Sequence, residues 1–319
     1  MRRIVFALGG NAILKANQVG TAEEQRANLQ GTCAQIVEAI CEGHDVLITH
    51  GNGPQVGNIL LQNEEAFRSA GIPPMPLDIC GAESQGMIGY MIQRALANQL
   101  KHRGVQKTVM SIVTEVLVDE HDPAFSNPTK PIGPFYTGPL AEKLVRTRGY
   151  VMREDVKGWR RVVPSPDPQA IVQASAIKEL FQRGYVVIAS GGGGIPVIKS
   201  ADGSLVGIEA VIDKDLAAEV IAREVGADTF LILTDVDKVY LHYKSPEQVP
   251  LHTVTADEME AWQREGHFRV GSMAPKVEAA IRFVRSGGER AIIASLDHAL
   301  EALRGGGSHV IGSRSVRVA

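Results

Sequence analysis

A lysine stands between two aspartates at positions 213–215, directly before a run of residues that predicts a helix over 214–225. One interpretation is structural: Asp213 is the N-cap and Asp215 complements the helix dipole. The other is chemical. Lys214 is unfavourable at a helix N-terminus unless an anion binds there, and a flanking acid would fix the orientation of the lysine. The pattern suits a site that neutralises phosphate charge.

Two further lysines follow unusual turns. Lys276 ends the segment Gly271-Ser272-Met273-Ala274-Pro275-Lys276, in which a glycine and serine turn leads through proline into a predicted helix. Such a turn aims backbone N–H groups and a cation at one point. Lys130 lies in Asn127-Pro128-Thr129-Lys130-Pro131, where the prolines stiffen the loop. A lone lysine is ordinarily a solvated surface charge, and that interpretation stays open for both residues.

Three apolar runs each end in a glycine-rich turn: Ile4 to Leu8 into Gly9-Gly10-Asn11, Val46 to Ile48 into His50-Gly51-Asn52-Gly53, and Val186 to Ala189 into Ser190 to Gly194. Backbone N–H groups in such turns are unobstructed and can surround an anion. Three turns at the carboxyl ends of strands predict the rim of an open parallel sheet, where ligands of α/β proteins bind. The sequence therefore favours chemistry on a phosphate or a carboxylate.

Other polar residues allow more than one interpretation. Asp235 and Asp237 follow an apolar strand and resemble a metal-binding turn, but the ligand spacing of an EF-hand is absent, which favours Mg²⁺ carried on a phosphate. His50 is either a general base or a histidine hydrogen-bonded to its own loop. The P-loop and Gly-x-Gly-x-x-Gly patterns are absent from the chain.

Strands alternate with helices along most of the chain, which predicts a parallel sheet. From about Asp119 to Pro168 many prolines interrupt the pattern, and aromatic residues among them favour an ordered, protruding lid over a disordered insert. The predicted helices cover 22–42, 55–70, 82–101, 167–183, 214–225 and 274–286, and the predicted strands cover 4–8, 45–49, 109–118, 185–189, 229–234 and 290–294.

Composition narrows the class of protein. The chain has 319 residues, 44% of them hydrophobic, and a formal net charge of -3, which does not favour nucleic acid as a partner. Its three cysteines form no C-x-x-C pair, as expected of a reduced, cytoplasmic protein. We interpret the apolar N-terminus as the first strand and not as a signal peptide, and no run approaches the roughly 20 apolar residues of a membrane span. We expect a soluble protein.

Together, these segments resemble those of the carbamate kinases, a family of the amino-acid kinase superfamily. The similarity spans essentially the whole chain, and the matching segments occur in the order found in that family. They are Ala7 to Ala12, His50 to Gly57, Ser84 to Gly86, Asn127 to Pro131, Arg160 to Val163, Ser190 to Pro196, Ala210 to Ala218 and Gly271 to Lys276.

The resemblance implies an open αβα sandwich around a mainly parallel sheet, forming a single domain over 1–319. A lobe at 1–207, with a lid at about 119–166, would bind carbamate, and a lobe at 208–319 would bind the nucleotide. The implied reaction is reversible phosphoryl transfer between ADP and carbamoyl phosphate, giving ATP and carbamate, with Mg²⁺ on the nucleotide phosphates and no dedicated metal site. A homodimer is also implied, and its reaction would serve arginine, agmatine or purine breakdown, with synthesis of carbamoyl phosphate as the open alternative.

The resemblance also assigns roles to residues. Lys130, Lys214 and Lys276 would neutralise the transferred phosphoryl group, with Asp215 organising the lysines. The residues implied to bind substrate are Gly9, Gly10, Asn11, Gly51, Asn52, Gly53, Gly192 and Gly193. Those implied to bind nucleotide are Asp213, Asp235, Tyr240, Gly271, Ser272, Met273, Ala274 and Pro275.

The chain departs from the expected pattern at Ala274, which stands where such kinases often have glycine, and Asp237-Lys238-Val239 is one of several variants of the nucleotide-side turn. Its first glycine turn, Gly9-Gly10-Asn11, resembles that of carbamate kinases and lacks the lysine common in the wider superfamily. Lys130 on the lid would supply that missing charge. Two alternatives stay open: a sister kinase that phosphorylates an acylated amino acid, and a nucleotide-binding protein without activity. The final segment, Ser313 to Ala319, matches no motif.

Overall fold

The fold is taken from a computed structural model, which describes residues 1–15, 17–155 and 158–312; Ser313 to Ala319 lie outside these. The helices of the described residues are α1 Ala22–Cys41, α2 Gly53–Ala70, α3 Leu77–His102, α4 Gly138–Arg148, α5 Ala174–Gln182, α6 Lys214–Val225, α7 Ala256–Arg264, α8 Met273–Arg285 and α9 Ala299–Leu303. The strands are β1 Arg3–Leu8, β2 Asp45–His50, β3 Val109–Ser111, β4 Glu115–Val118, β5 Lys130–Tyr136, β6 Val151–Asp155, β7 Gly158–Val163, β8 Pro168–Ile171, β9 Val186–Ile188, β10 Ile195–Lys199, β11 Leu205–Gly207, β12 Thr229–Thr234, β13 Tyr240–Leu241, β14 Val249–Pro250, β15 Thr253–Thr255, β16 Arg290–Ser295 and β17 Ser308–Ile311.

An eight-stranded sheet forms the middle layer, in the order β15-β17-β16-β12-β1-β2-β9-β3. Its pairs are parallel except β16 with β17. The central strands are apolar on both faces, because helices cover both sides. One core packs the sheet against α5, α6, α7 and α8, and a second packs it against α1, α3 and α9. The predicted αβα sandwich is therefore confirmed.

The three glycine turns meet because their strands are neighbours. β1 pairs with β2 and β2 with β9, all parallel, so their carboxyl ends lie at the same edge of the sheet. The turn after β1 forms a short 3-10 helix at Gly10–Ala12, and the turn after β9 forms another at Gly191–Gly193. The expectation of a glycine-rich rim is correct.

The proline-rich segment is an ordered subdomain, as predicted. β5, β7 and β6 form a separate antiparallel sheet, with α4 beside it. A small apolar cluster joins this lid to α2 and α3, and it contains Ile132 and Val163 of the lid together with Val56, Ile59, Leu77 and Cys80. The lid therefore rests on the elements that follow the second glycine turn.

Two predicted elements are wrong. The strand predicted over 109–118 is two strands, since β3 joins the main sheet and β4 joins a second sheet of order β11-β10-β4-β8. Between them, Gln85 accepts from the Thr114 N–H at 2.8 Å and donates to the Thr114 carbonyl at 3.1 Å, which holds the chain as it changes sheets. The helix predicted over 167–183 begins only at Ala174, because residues 168–171 pair with β4.

Other boundaries differ less. α3 begins at Leu77, five residues before the predicted start, and α7 was not predicted although Thr255 and Glu258 form a capping box at its start. The bounds of α6 and β12 agree with prediction. Among the described residues, no helix combines the length and apolar character that a membrane crossing requires.

Candidate active site

A cavity of about 630 Å³ opens at the glycine-rich rim, between the main sheet and the lid. It collects residues that are far apart in the sequence, including all four predicted catalytic residues. The predicted site residues on its wall are Gly10, Gly51, Asn52, Gly53, Lys130, Gly192, Asp213, Lys214, Asp215, Gly271, Ser272 and Lys276. Folding therefore brings the three lysines into one place.

Asp215 holds two of the lysines. Its Oδ1 accepts from Lys214 Nζ at 2.5 Å, and its Oδ2 accepts from Lys276 Nζ at 2.9 Å. The carboxylate is buried, and burial alone would raise its pKa, but the two ammonium groups hold the pKa at about 2. Asp215 therefore remains ionised at neutral pH, and it is a weak proton acceptor because its pKa is low and both of its oxygens accept from ammonium groups.

Opposing effects act on the charge of Lys214. Burial lowers the pKa of Lys214, the neighbouring Lys276 lowers it further, and Asp215 opposes both effects. Two ammonium groups thus share one carboxylate in a largely buried site, with a surplus of positive charge toward the cavity. Such a surplus attracts an anion.

Asp213 has two roles, one as the helix N-cap and one as the partner of a lysine. Its Oδ1 accepts from the Asp215 backbone N–H at 2.9 Å, which makes it the N-cap of α6. Its Oδ2 accepts from Lys130 Nζ at 2.9 Å. The lid lysine is thereby tied to the helix that carries Lys214, across 83 positions of sequence.

The glycine turns bring the backbone close to the neighbouring side chains. A Cβ on Gly51 would lie 3.2 Å from Lys214 Cδ and 3.3 Å from the Gly10 backbone nitrogen, so a side chain there would crowd the lysine. Gly192 has φ +66°, and a Cβ there would lie 2.1 Å from Asn52 Nδ2. Asn52 is itself fixed, because its Nδ2 donates to Ser84 Oγ at 2.8 Å.

His50 is bound to its own loop. It is buried, its Nδ1 donates to the Gly51 carbonyl at 3.0 Å, and burial lowers its pKa to about 4. The neutral ring supports the second glycine turn. The interpretation of His50 as a loop-bound histidine is therefore correct.

Two helices begin at the cavity without a capping side chain. Asn52 precedes α2 and Ser272 precedes α8, and neither side chain makes an N-cap hydrogen bond. The positive ends of both helix dipoles add to the lysine charges at the cavity wall.

Eight predicted residues lie off the wall that the described residues form. Asn11 is exposed beside the first turn, Asp235 is exposed after β12, and the Tyr240 hydroxyl donates to Asp237 at 2.6 Å. The Gly9 and Gly193 N–H groups bond within the fold, to the Leu233 and Ser190 carbonyls. Met273, Ala274 and Pro275 occupy the first turn of α8. Their assigned roles stay predictions.

The sequence analysis missed several wall residues. Arg160 of β7 lines the cavity, although its segment was noted only as part of a resemblance. So do residues of the first three turns of α2, among them Val56, Asn58 and Leu61. The adjacent arginines 160 and 161 could have indicated this residue. Neighbouring residues of a strand face opposite sides, so one of the two arginines faces the lid surface that covers the cavity.

The site can bind a phosphorylated anion and stabilise charge on it. Within residues 1–15, 17–155 and 158–312, no group of three or more His, Cys, Asp or Glu side chains is placed to hold a metal ion. The two aspartates of the wall are already bound to lysines. The chemistry that this arrangement supports is phosphoryl transfer by positioning and charge neutralisation.

Comparisons with known protein families and sequences identify the class of protein. A model of the amino acid kinase family matches residues 2–295. The chain is 56% identical to the carbamate kinase of Thermococcus kodakarensis, over 96% of this chain and 97% of that one. It is 50% identical to the carbamate kinase of Trichomonas vaginalis, over 95% and 97% of the two chains.

Solved structures agree with the sequence comparison. The carbamate kinase of Giardia lamblia, bound to AMP-PNP, superposes with a TM-score of 0.93 at 42% identity and covers 98% of this chain and 99% of its own. The chain therefore belongs to the amino acid kinase family and, within it, to the carbamate kinases. It is a kinase, and its fold is the one that the resemblance implied.

Proposed function

We propose that this protein transfers a phosphoryl group reversibly between carbamoyl phosphate and ADP, giving carbamate and ATP. The observation that carries the proposal is the pair of ammonium groups of Lys214 and Lys276 on the single buried carboxylate of Asp215, at the wall of a glycine-rich cavity. The names of its relatives support carbamoyl phosphate as the substrate. Formation of ATP from ADP and carbamoyl phosphate tests the proposal directly.

The reaction needs no general base. The attacking oxygen belongs to the terminal phosphate of ADP, which is already an anion, and carbamate leaves as an anion. No proton has to move in the transfer step, which agrees with an ionised Asp215 and a neutral, loop-bound His50. What the step requires is alignment of the two oxygens and neutralisation of the charge on the transferred group.

The lysines supply that neutralisation. Lys214 and Lys276 are fixed before the substrate arrives, so little reorganisation is needed in the transition state. Lys130 lies on the lid and is bound to Asp213. An incoming dianion can take Lys130 from Asp213, which brings a third ammonium group to the phosphoryl oxygens and ties the lid to the substrate.

We assign the carbamate side to the lobe of residues 1–207 and the nucleotide side to residues 208–319. The start of α8 and the Lys276 side chain supply the positive end that ADP phosphates require. Asp213, Asp235, Tyr240 and the segment Gly271–Pro275 are proposed to border the nucleotide. The ring of Tyr240 lies 5.9 Å from that of Tyr243, which makes an aromatic surface on this side.

Mg²⁺ is proposed to arrive with the nucleotide. Both wall aspartates are bound to lysines, so the donor set fits an ion held chiefly by phosphate oxygens and water. When bound, the ion neutralises charge on the nucleotide phosphates. Asp213 would have an oxygen available for such an ion once Lys130 has left it, since its other oxygen accepts from the Asp215 N–H.

Replacing Lys130 by alanine should lower kcat by about 100-fold or more while leaving the fold intact. The side chain is a partly exposed point charge, so its removal costs little stability but deprives the transferred phosphoryl group of one ammonium. Steady-state ATP formation measures kcat, and thermal unfolding checks the fold. Lys143→Ala, an exposed lysine on α4 of the same lid, should behave as wild type. Near-normal turnover of folded Lys130→Ala would overturn the role.

We also propose a homodimer that forms through the outer face of α3. Ile79, Met87 and Tyr90 are exposed on this face at helical spacing, and Tyr90 is 56% exposed. The edge strand β11, which carries the exposed Leu205 and Val206, lies beside the start of α3, since Gly207 is close to Asp78. Exposed apolar residues gathered on one side of a helix suit contact with a second copy.

Sedimentation at micromolar concentration should give the mass of a dimer, and Tyr90→Glu should give a monomer with an unchanged circular dichroism spectrum. A monomeric wild-type protein would contradict the homodimer. A Tyr90→Glu variant that stays dimeric would contradict the choice of face.

The cellular setting is proposed from chemistry and resemblance. All three cysteines are unpaired, and burial raises the pKa of the Cys33 and Cys80 thiols, to about 12 and about 11. Unpaired thiols suit the cytoplasm. There the enzyme would make ATP from carbamoyl phosphate released by breakdown of arginine, agmatine or purines.

A further inference from the structure

Asn52 stands directly before α2, at a position where an asparagine side chain ordinarily accepts from a backbone N–H of the first helical turn. Here the side chain makes no such bond. Its Nδ2 donates instead to Ser84 Oγ of α3 at 2.8 Å, and among the residues that the structure describes none donates to its Oδ1. Because Asn52 lines the cavity, an amide oxygen without a partner stands at the cavity wall.

Ser84 determines which end of that amide is free. The serine is fully buried, and its hydroxyl donates its one hydrogen to the Gly81 carbonyl of the same helix at 2.7 Å. Ser84 Oγ can therefore only accept from Asn52. Turning the amide over would bring Oδ1 against Oγ, two acceptors with no hydrogen between them, in a buried place where an unmade hydrogen bond is costly. The amide is thus held with Nδ2 toward Ser84 and Oδ1 away from it.

The surroundings keep this arrangement fixed. Gly192 lies against the amide, since a Cβ there would come 2.1 Å from Asn52 Nδ2 and 2.6 Å from Oδ1. Gln85, the next residue of α3, bonds to both backbone groups of Thr114, whose Oγ1 accepts from the Ser190 N–H at 3.0 Å. Two adjacent residues of one helix therefore hold the second and the third glycine turn from behind. A side chain fixed in this way can distinguish substrates that differ by one polar group.

We propose that Ser84 is a positioning residue that sets the choice of acyl phosphate; this inference rests on the function proposed above. By holding Nδ2, Ser84 presents Asn52 Oδ1 to the substrate as a hydrogen-bond acceptor. Carbamoyl phosphate carries an NH₂ group that can donate to this oxygen, whereas acetyl phosphate carries a methyl group of similar size that cannot. With acetyl phosphate in the cavity Oδ1 stays unpaired, so that compound is rejected.

The test compares kcat/KM for ATP formation from carbamoyl phosphate and from acetyl phosphate at saturating ADP. Both compounds transfer their phosphoryl group to ADP by cleavage of the same acyl O–P bond, with carbamate or acetate as the leaving group, so the comparison isolates the group next to the carbonyl. The wild type should favour carbamoyl phosphate by about 30-fold or more.

Ser84→Ala frees the amide to turn over. The kcat/KM for carbamoyl phosphate should then fall about tenfold, while that for acetyl phosphate stays within about threefold of wild type, so the preference is largely lost. Ser69→Ala is the matched control, because Ser69 is an exposed helix serine of α2 whose hydroxyl likewise donates to a carbonyl of its own helix, that of Glu65, at 2.7 Å. This control should change neither constant.

Inorganic phosphate, which has no acyl group, separates positioning of the amide from damage to the whole site. The phosphate concentration for half-maximal protection against thermal unfolding should be the same in wild type and Ser84→Ala. An unchanged preference in Ser84→Ala, equal use of both compounds by the wild type, or an equal loss on both compounds with weaker phosphate protection would overturn the inference, the last result indicating a merely structural role.

Two further measurements keep the inference testable. If Ser84→Ala does not fold, Ser84→Cys, whose sulfur is a weaker acceptor, decides by the same ratio. If the wild type forms no ATP, the proposed function fails, and calorimetric titration of the two acyl phosphates without ADP decides on Ser84: a preference for carbamoyl phosphate that Ser84→Ala loses supports the inference, and equal binding overturns it.

Discussion

Replacing Lys214 by methionine should lower kcat about 1,000-fold, with a much smaller change in the KM for ADP. Methionine keeps most of the stem that packs against Gly51, but it removes an ammonium group that is fixed 2.5 Å from Asp215 and faces the cavity. Preorganised charge in a water-poor site contributes about 3–4 kcal/mol per group to transition-state stabilisation. Stability should change little, since Lys276 still neutralises Asp215.

The measurement is single-turnover and steady-state ATP formation, with thermal unfolding as a check on the fold. Lys178→Met, an exposed lysine on α5, is the matched control and should leave kcat unchanged. A folded Lys214→Met variant with kcat within tenfold of wild type would remove Lys214 from the mechanism.

Replacing Asp215 by asparagine should reduce both kcat and stability. The amide offers one acceptor oxygen to two ammonium groups and turns its NH₂ toward one of them, so Lys214 and Lys276 are left as a buried like-charge pair. We expect kcat to fall at least 100-fold and the free energy of unfolding to fall by about 3 kcal/mol.

The stability effect has a defined pH dependence. The folded-state pKa of Asp215 is about 2, below its unfolded value, so its contribution is fully present above about pH 4 and is lost as pH falls toward 2. The stability difference between wild type and Asp215→Asn should therefore shrink between pH 5 and pH 2.5. Asp202→Asn, which changes an exposed loop carboxylate, should leave kcat unaltered. A difference that is the same at both pH values would show that Asp215 does not act through its charge.

Much of the site was predictable because it depends on local sequence. The glycine turns follow strands whose apolar runs mark them as buried, and parallel neighbours place all their carboxyl ends at one edge. Lys214 and Asp215 begin a helix whose bounds the sequence gives correctly. The meeting of Lys130 and Lys276 at this point, however, was predicted only from the family resemblance, because no local sequence pattern indicates which loops come together.

What escaped prediction depends on contacts between distant segments. The apolar run at 109–118 predicts one strand, and only pairing with β9 on one side and β10 on the other divides it between two sheets. Similarly, residues 168–171 form a strand because they pair with β4 in the second sheet. Arg160 lines the cavity from β7, a lid strand that was not predicted, opposite the register shift between β5 and β7. The double role of Asp213, as N-cap and as partner of Lys130, likewise requires the lid to be in place.

One feature of the cavity favours the alternative reaction, phosphorylation of an acylated amino acid. Leu14, Val19 and Leu61 give the cavity an apolar wall that an acylated amino acid would contact. The substrate panel of the decisive assay therefore has to include such compounds.

The most direct test of the account is ATP formation from ADP and carbamoyl phosphate with Mg²⁺ in a coupled assay, run beside N-acetylglutamate and other carboxylates with ATP. We expect rapid ATP formation from carbamoyl phosphate and no phosphorylation of the carboxylates. Turnover of an acylated amino acid, or binding of ADP without any turnover of carbamoyl phosphate, would contradict the proposed reaction while leaving the fold and the nucleotide side intact.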